Sequence, residues 1–343
     1  MKRFWLFRSN IKSFEYYHKY TELEEFEKKC HDFYLLFPIW LLRKGYFDEV
    51  TIWRLSDIPR ADIIFNVDGK LYTQRWVRDF KDVLKYPRPY VSFWRGGFKE
   101  YDKITKNDHD LGIRMYLGTG KRIYPQYGGK YDVIFQEDKR DFRSSEPCIP
   151  FWKTASPHIF NNKPHIIYNT YWDICWPCNF TQIIQKGQEE FISTISKYPS
   201  LKKLKIVHCG NKPEIGKKMA HKYGVTNIDF LGIKSRDELC NTLNSSKFGL
   251  CMSNQQDGCP RIVTEMLMTK TPIFLSEKTR LMPLFKKNGV VDINSGNIEF
   301  RINWALEHYK QFADEVSYAV ENTISFEKIC QKNISKWEEV LKI

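Results

Sequence analysis

The sequence predicts an α/β fold of two doubly wound halves. Three observations lead there. A chain of 343 residues is long enough for two domains, each burying its own core. Short apolar runs alternate with helical patterns along most of it, which implies parallel sheets. Ser253 to Leu275 (SNQQDGCPRIVTEMLMTKTPIFL) then reads as strand end, polar loop, helix and strand, the local plan of a ligand-binding α/β turn.

In order, Arg3 to Arg8 forms a candidate strand, and Thr21 to Leu42 carries a helical pattern whose acidic first turn, Glu22, Glu24 and Glu25, suits the helix dipole. Glu49 to Trp53, Ala61 to Val67, Pro89 to Trp94 and Asp132 to Phe135 follow as strands, with a helix over Tyr72 to Tyr86. Phe151 to Asn162, punctuated by Pro157, is the expected crossing between the halves, with Ile159-Phe160 as its apolar anchor.

A second series starts with a strand at Asp173 to Trp176 and a helix from Gln188 to Lys197. It continues with a strand at Leu204 to His208, a helix at Glu214 to Tyr223, a strand at Ile228 to Leu231 and a helix at Arg236 to Ser245. Phe248 to Met252 is an apolar run of the length of a buried parallel strand. Pro260 suits a first helical position, Ile262, Val263, Met266 and Leu267 form one stripe, and Thr271 to Leu275 returns as a strand. Ile298 to Ile343 reads as mostly helical, ending in a helix over Phe326 to Leu341. The expected domains are residues 1–160, 161–320 and a terminal helix, 321–343, packing back on the first domain.

Hydrophobic content of 42%, with 15% aromatic residues, belongs to a folded globular chain. A net charge of +13 favours an anionic partner: a nucleotide-sugar, nucleic acid or an acidic membrane face. Lysine and arginine are spread along the chain without a basic tail. Nine cysteines, an odd number, and a basic, aromatic start at Met1 to Asn10 point to a reduced, cytoplasmic setting, so that the sequons at Asn179, Asn244 and Asn333 are chance matches. The longest apolar run, Phe33 to Leu42, is too short to span a membrane and contains Pro38. It reads as a buried helix, with an interfacial membrane patch as the alternative.

The chemistry concentrates where the helix after Phe248 to Met252 begins. Bare amides at a helix start form an anion site. Asp257 lies in the loop before it, and Glu265 lies about five residues into the helix, roughly 7 Å along its axis. A diphosphate on those amides would have a carboxylate on either side.

Asp257, Gly258, Cys259 and Pro260, then Glu265 after seven intervening residues, with Thr271-Pro272-Ile273 behind, resemble the donor-site signature of retaining GT-B glycosyltransferases, in particular family 4. Asp257 stands where that family more often has glutamate. The resemblance implies two Rossmann-like domains facing a central cleft, and transfer of sugar from a nucleotide-diphosphate donor to a glycan or other hydroxyl acceptor. It implies that Lys186 and the amides after Gly258 hold the diphosphate, Glu265 the ribose hydroxyls and Asp257 the sugar. No cofactor and no metal are expected, and the leaving phosphate itself helps to deprotonate the acceptor. The plainer alternative is a loop aspartate plus a helix-surface Glu265 paired with Arg261 at i, i+4.

Lys186-Gly187 opens a helix, where a lysine is electrostatically unfavourable and a bound phosphate would explain it; a solvated loop lysine is the alternative. The family's arginine before this pair falls at Asn179 here, with a longer gap. Arg95-Gly96-Gly97 ends a first-half strand. Its glycines allow close approach of a ligand and Arg95 would pair with a phosphate, where many similar enzymes carry a histidine. A plain surface turn is the alternative.

Cys175-Trp176-Pro177-Cys178 mimics a redox motif but lacks the small domain and nearby cis-proline strand that such chemistry uses. Asp108-His109-Asp110 mimics a manganese-binding Asp-x-Asp but follows a polar stretch rather than an apolar strand. A nucleic-acid binder and a nucleotide-sugar epimerase remain the competing functions, although no nucleic-acid motif is present and no nucleic-acid partner is expected. Peripheral contact with an acidic membrane is a further expectation.

Overall fold

The computed structural model describes residues 3–7, 27–28, 30, 33–44, 49–53, 63–66, 91–92, 115–118, 133–136, 148–150, 152, 154–162, 171–180, 187–253, 261–279, 283–286 and 289–341. The chain divides into two compact units, residues 1–153 with 330–343, and residues 154–329.

In the first unit, β1 (Arg3–Phe7), β2 (Glu49–Trp53), β3 (Ile63–Asn66) and β4 (Val91–Ser92) form a parallel sheet in the order β2-β1-β3-β4. A second parallel sheet contains β5 (Met115–Gly118), β6 (Val133–Gln136) and β7 (Cys148–Pro150) in sequence order. The patterns behind β5 and β7 are too short to stand out from their polar and proline-rich surroundings. The helix expected over Tyr72 to Tyr86 lies outside the described residues.

Helix α1 (Phe33–Arg43) corrects the single helix expected from Thr21 to Leu42. Glu27 and Lys28 are helical but Cys30 is not. Arg43 Nε donates to Glu27 Oε1 at 3.1 Å. In one continuous helix those residues would stand about 24 Å apart, so Glu27 and Arg43 do not belong to one unbroken helix. Phe33, Leu36, Phe37, Ile39 and Trp40 of α1 are buried, as expected of a core helix rather than a membrane patch. Among the described residues no helix is long and apolar enough to cross a membrane.

The second unit holds β8 (Trp172–Pro177), α2 (Gln188–Lys197), α3 (Pro199–Lys202), β9 (Ile206–Cys209), α4 (Pro213–Lys222), β10 (Ile228–Phe230) and α5 (Arg236–Asn244). Then follow β11 (Ser246–Cys251), α6 (Arg261–Met268), β12 (Ile273–Ser276), α7 (Pro283–Lys286), β13 (Val290–Ile293), α8 (Ile298–Glu307) and α9 (Tyr309–Ala319). A π-helical turn at Val320–Ile324 leads to α10 (Phe326–Leu341), whose residues from Cys330 onward belong to the first unit. There Asn333, buried, takes both backbone groups of Trp152: its Oδ1 accepts from the amide at 3.0 Å and its Nδ2 donates to the carbonyl at 2.6 Å.

The six strands of this unit are parallel in the order β10-β9-β8-β11-β12-β13. The chain starts in the middle, winds outward one way to β10, then returns to β8 and winds the other way. That reversal leaves a crevice at the carboxyl ends of β8 and β11, where doubly wound sheets bind ligands. Strand β13 was not expected. Its alternation of buried Val291 and Ile293 about exposed Asp292 is only four residues long.

One sheet face packs Ile174, Trp176, Ile206, Phe248, Leu250 and Phe274 into a single core with helix residues such as Phe191, Ile195 and Ile302. Ile159 and Phe160 are buried, the apolar anchor expected of the crossing segment. The carbonyl of the next residue, Asn161, accepts from Asn244 Nδ2 on α5 at 3.0 Å.

Candidate functional site

The ends of β8, β9 and β11 open into a cavity of about 470 Å³, lined by Trp176 to Asn179, Cys209 and Gly210, Ile233 and Lys234, Arg236, Leu239, Leu250 to Met252, Arg261, Ile262 and Glu265. It sits at the strand-order reversal. Lys234, Arg236 and Arg261 outnumber the carboxylate of Glu265 among these residues, so the lining favours an anion.

Glu265 is the one carboxylate among them. It is 2% exposed, and its Oε1 accepts from Arg236 Nη1 at 3.1 Å. Arg261 Nε stands 3.5 Å from the same oxygen. Burial pushes the carboxyl up from its ordinary pKa, and Arg236 and then Arg261 pull it back. This corrects the surface-glutamate alternative: the pair with Arg261 exists, but the carboxylate is a core group facing a cavity. Helix α6 can carry it there because it lies close on β11. A Cβ at Gly249 would come 2.4 Å from Met266 Sδ, so glycine at 249 makes room for the helix. Thr269 and Thr271 hydroxyls, 2.8 Å apart, bond Met266 O and Leu243 O and fix the helix end.

Asn179 lines the cavity directly after β8, but its side chain is engaged. Its Oδ1 accepts the amide of Asn211 at 2.8 Å, which ties the end of β8 to the turn after β9. Its carbonyl accepts from Gln188 Nε2 at 2.8 Å, which draws in the start of α2. Gly187 caps that helix in the left-handed region, φ 62°, and is not part of the cavity lining. Asn179, Arg261 and Glu265 are therefore brought together, and Gly187 stands apart. Asp257, Gly258, Cys259, Pro260, Lys186, Arg95, Gly96, Gly97 and the Asp108-His109-Asp110 run lie outside the described residues.

Arg236, Lys234 and Gly210 were missed from the sequence. A signal for Arg236 was present. Ser235 and Glu238 form a capping box, with Glu238 N donating to Ser235 Oγ at 3.2 Å and Ser235 N donating to Glu238 Oε2 at 2.8 Å. That box fixes the first turn of α5 and with it the direction of Arg236.

Cys175-Trp176-Pro177-Cys178 is the end of strand β8, not a helix start, and no disulfide forms among the described cysteines. The Cys175 thiol is pushed well up by its hydrogen bond to Cys209 and by burial, the reverse of a reactive redox thiol. Cys178 Sγ lies 3.5 Å from His208 Nε2. Among the described residues no group of three or more His, Cys, Asp or Glu is placed to hold a metal ion. Asn244 and Asn333 are buried with their amide nitrogens donating, so neither sequon presents an acceptor nitrogen to solvent.

No protein-family model and no curated protein sequence matches the chain. Solved structures do match its fold. A glycosyltransferase from Rickettsia africae superposes with a TM-score of 0.67 over 99% of both chains at 13% identity. Sucrose-phosphate synthase from Thermosynechococcus elongatus gives 0.65 over 99% of this chain and 100% of its own, at 9% identity. Anabaena HepE, solved with UDP and glucose, gives 0.60 over 98% and 100% at 10% identity. The fold is GT-B. These three match over nearly the whole length of both chains.

Proposed function

We propose that this chain is a retaining glycosyltransferase, moving a sugar from a nucleoside-diphosphate donor to a hydroxyl of a glycan or similar acceptor. The observation that carries the proposal is a buried carboxylate, Glu265, held on one oxygen by Arg236 with Arg261 beside it, in a cationic cavity at the strand-order reversal. A ligand with anionic charge and hydroxyl donors suits that lining, and a nucleoside diphosphate has both. The fold neighbour solved with UDP and glucose, and another, the pneumococcal O-GlcNAc transferase solved with UDP and GlcNAc, support the same ligand class.

In this proposal Glu265 accepts from the ribose hydroxyls. Lys186 and the helix-start amides after Gly258 hold the diphosphate, with Arg95 as a further phosphate partner beside Gly96 and Gly97. Asp257 orients the donor sugar. The bond from the anomeric carbon to the phosphate oxygen breaks as the acceptor oxygen bonds to the same face. The acceptor's proton passes to the departing phosphate. The protein supplies position and electrostatics rather than a nucleophile. A cytoplasmic enzyme with a peripheral hold on an acidic membrane fits its charge of +13.

Calorimetry with uridine, guanosine and adenosine diphosphates tests the assignment. Charged hydrogen bonds from the ribose contribute about 1.5–3 kcal/mol, so Glu265→Gln should weaken the preferred diphosphate by roughly ten- to a hundred-fold. Asp257→Asn should bind it nearly as wild type does, yet lose most turnover of the intact donor. Wild-type affinity in Glu265→Gln removes the donor-site assignment. Turnover of donor without any acceptor would point to an epimerase, and salt-sensitive binding of single-stranded DNA without nucleotide affinity to a nucleic-acid binder.

A further inference from the structure

Both ion partners of Glu265 reach the same oxygen. Arg236 Nη1 is 3.1 Å and Arg261 Nε 3.5 Å from Oε1, while Oε2 makes no hydrogen bond to another described residue. The two arginines are not equivalent. Arg261 sits one helical turn before Glu265, its side chain 48% exposed, and its 3.5 Å separation is an ion pair without a hydrogen bond. Arg236 comes from a different helix, donates a true hydrogen bond, and has a side chain 35% exposed.

Arg236 is also misplaced by local electrostatics. It is the first residue of α5, where the helix dipole disfavours a cation, and Asp237 and Glu238 beside it are the residues that position prefers. Its compensation is the carboxylate across the cavity.

We infer that Arg236 is a positioning residue of the donor site: it holds Glu265 by Oε1 and leaves Oε2 to accept from the vicinal hydroxyls of the bound nucleotide. This rests on the donor-site proposal above. Burial pushes the Glu265 carboxyl up, and the Arg236 charge is the largest influence opposing it, ahead of Arg261. Among the described residues these are the charges acting on it. The other titratable groups facing the cavity are Lys234 ahead of α5 and the thiols of Cys178, Cys209 and Cys251 at the ends of β8, β9 and β11. An ionised Glu265 accepts from both hydroxyls, so its protonation removes binding as pH falls.

The test is nucleoside-diphosphate binding from pH 4.5 to 8 by wild type, Arg236→Met and Arg236→Lys, each checked for a wild-type melt, with the 2′-deoxy diphosphate in parallel. Arg236→Met should bind about ten-fold more weakly at pH 7, with its acid limb displaced upward by about one pH unit. It should also discriminate less between ribose and deoxyribose. Arg236→Lys keeps the charge, so its acid limb should return toward wild type even if affinity does not. A merely structural arginine would move neither the limb nor the discrimination. Wild-type values of both in Arg236→Met overturn the inference, and if that variant does not fold, an unshifted discrimination in Arg236→Lys with a displaced limb overturns it instead. Should Glu265→Gln bind like wild type, the donor-site proposal fails and takes this inference with it. A weakened Glu265→Gln beside an unchanged Arg236→Met sinks only the role of Arg236.

Discussion

A Cβ on Gly210 would fall 1.7 Å from the carbonyl oxygen of Cys178. The turn after β9 therefore lies against the end of β8, backbone on backbone. Gly210 N donates to Gly232 O at 2.8 Å, and the amide of Cys178 donates to Cys209 O at 3.0 Å, so neither segment can retreat without losing a bond. Gly210→Ala should cost about 1–3 kcal/mol, the range for overpacking, and distort the cavity floor. Gly296→Ala, whose Cβ would come no nearer than 3.4 Å to its neighbour, is the control and should stay within about 0.5 kcal/mol. Thermal melts of the two variants decide it, and equal melting temperatures would remove the close-approach argument.

Acid should weaken the second unit through His208. The ring is fully buried against Trp176, Phe180 and Phe230, and burial lowers its pKa from 6.5 to about 4. A base held neutral in the fold and free to charge when unfolded stabilises the protein above about pH 6.5, and that contribution disappears as pH falls toward 4. At about 1.4 kcal/mol per pKa unit the loss is about 3 kcal/mol. Urea unfolding at pH 7, 5 and 4 should show this slope in the wild type and a flatter one in His208→Phe, whose ring suits the aromatic surroundings. The same slope in both proteins would rule out His208 as its source.

Asn333 should stabilise the first unit out of proportion to its size. Its buried amide satisfies both backbone groups of Trp152. Asn333→Leu keeps the volume but leaves a buried N–H and C=O unpaired, a loss of about 1–3 kcal/mol for each group. Chemical denaturation measures it. Wild-type stability would mean that water or a neighbour replaces the asparagine.

Chelation is expected to leave turnover largely intact. In the proposed site the diphosphate charge is met by Lys186, by helix-start amides and by arginines, groups that need no divalent ion. Donor turnover should survive dialysis against EDTA. Complete loss restored by manganese would transfer the diphosphate to Asp108 and Asp110.

Much of the second unit could be read directly from the residues. Gln188–Lys197 and the helix starting at Arg236 fall where apolar periodicity places them, because each buries one stripe against a sheet and the stripe is a local pattern. The spacing that puts Glu265 past the start of α6 was equally local. The first half was less legible. Its strands β5 and β7 are only four and three residues long, and the Arg43–Glu27 pair joins residues sixteen apart, beyond the reach of a local pattern.

By itself, then, the sequence determined the alternation of strands and helices, the doubly wound plan and the acid at position 265, since periodicity and capping act within a turn or two of the chain. Tertiary structure alone decided that Glu265 is buried, that Arg236 from 29 residues away holds it, and that Asn179 spends its side chain on the turn after β9. Those outcomes follow from the strand order β9-β8-β11, which brings the ends of distant strands to one crevice. A carboxylate's partner in a low-dielectric site is chosen by which charges the fold delivers there, and no local pattern carries that information.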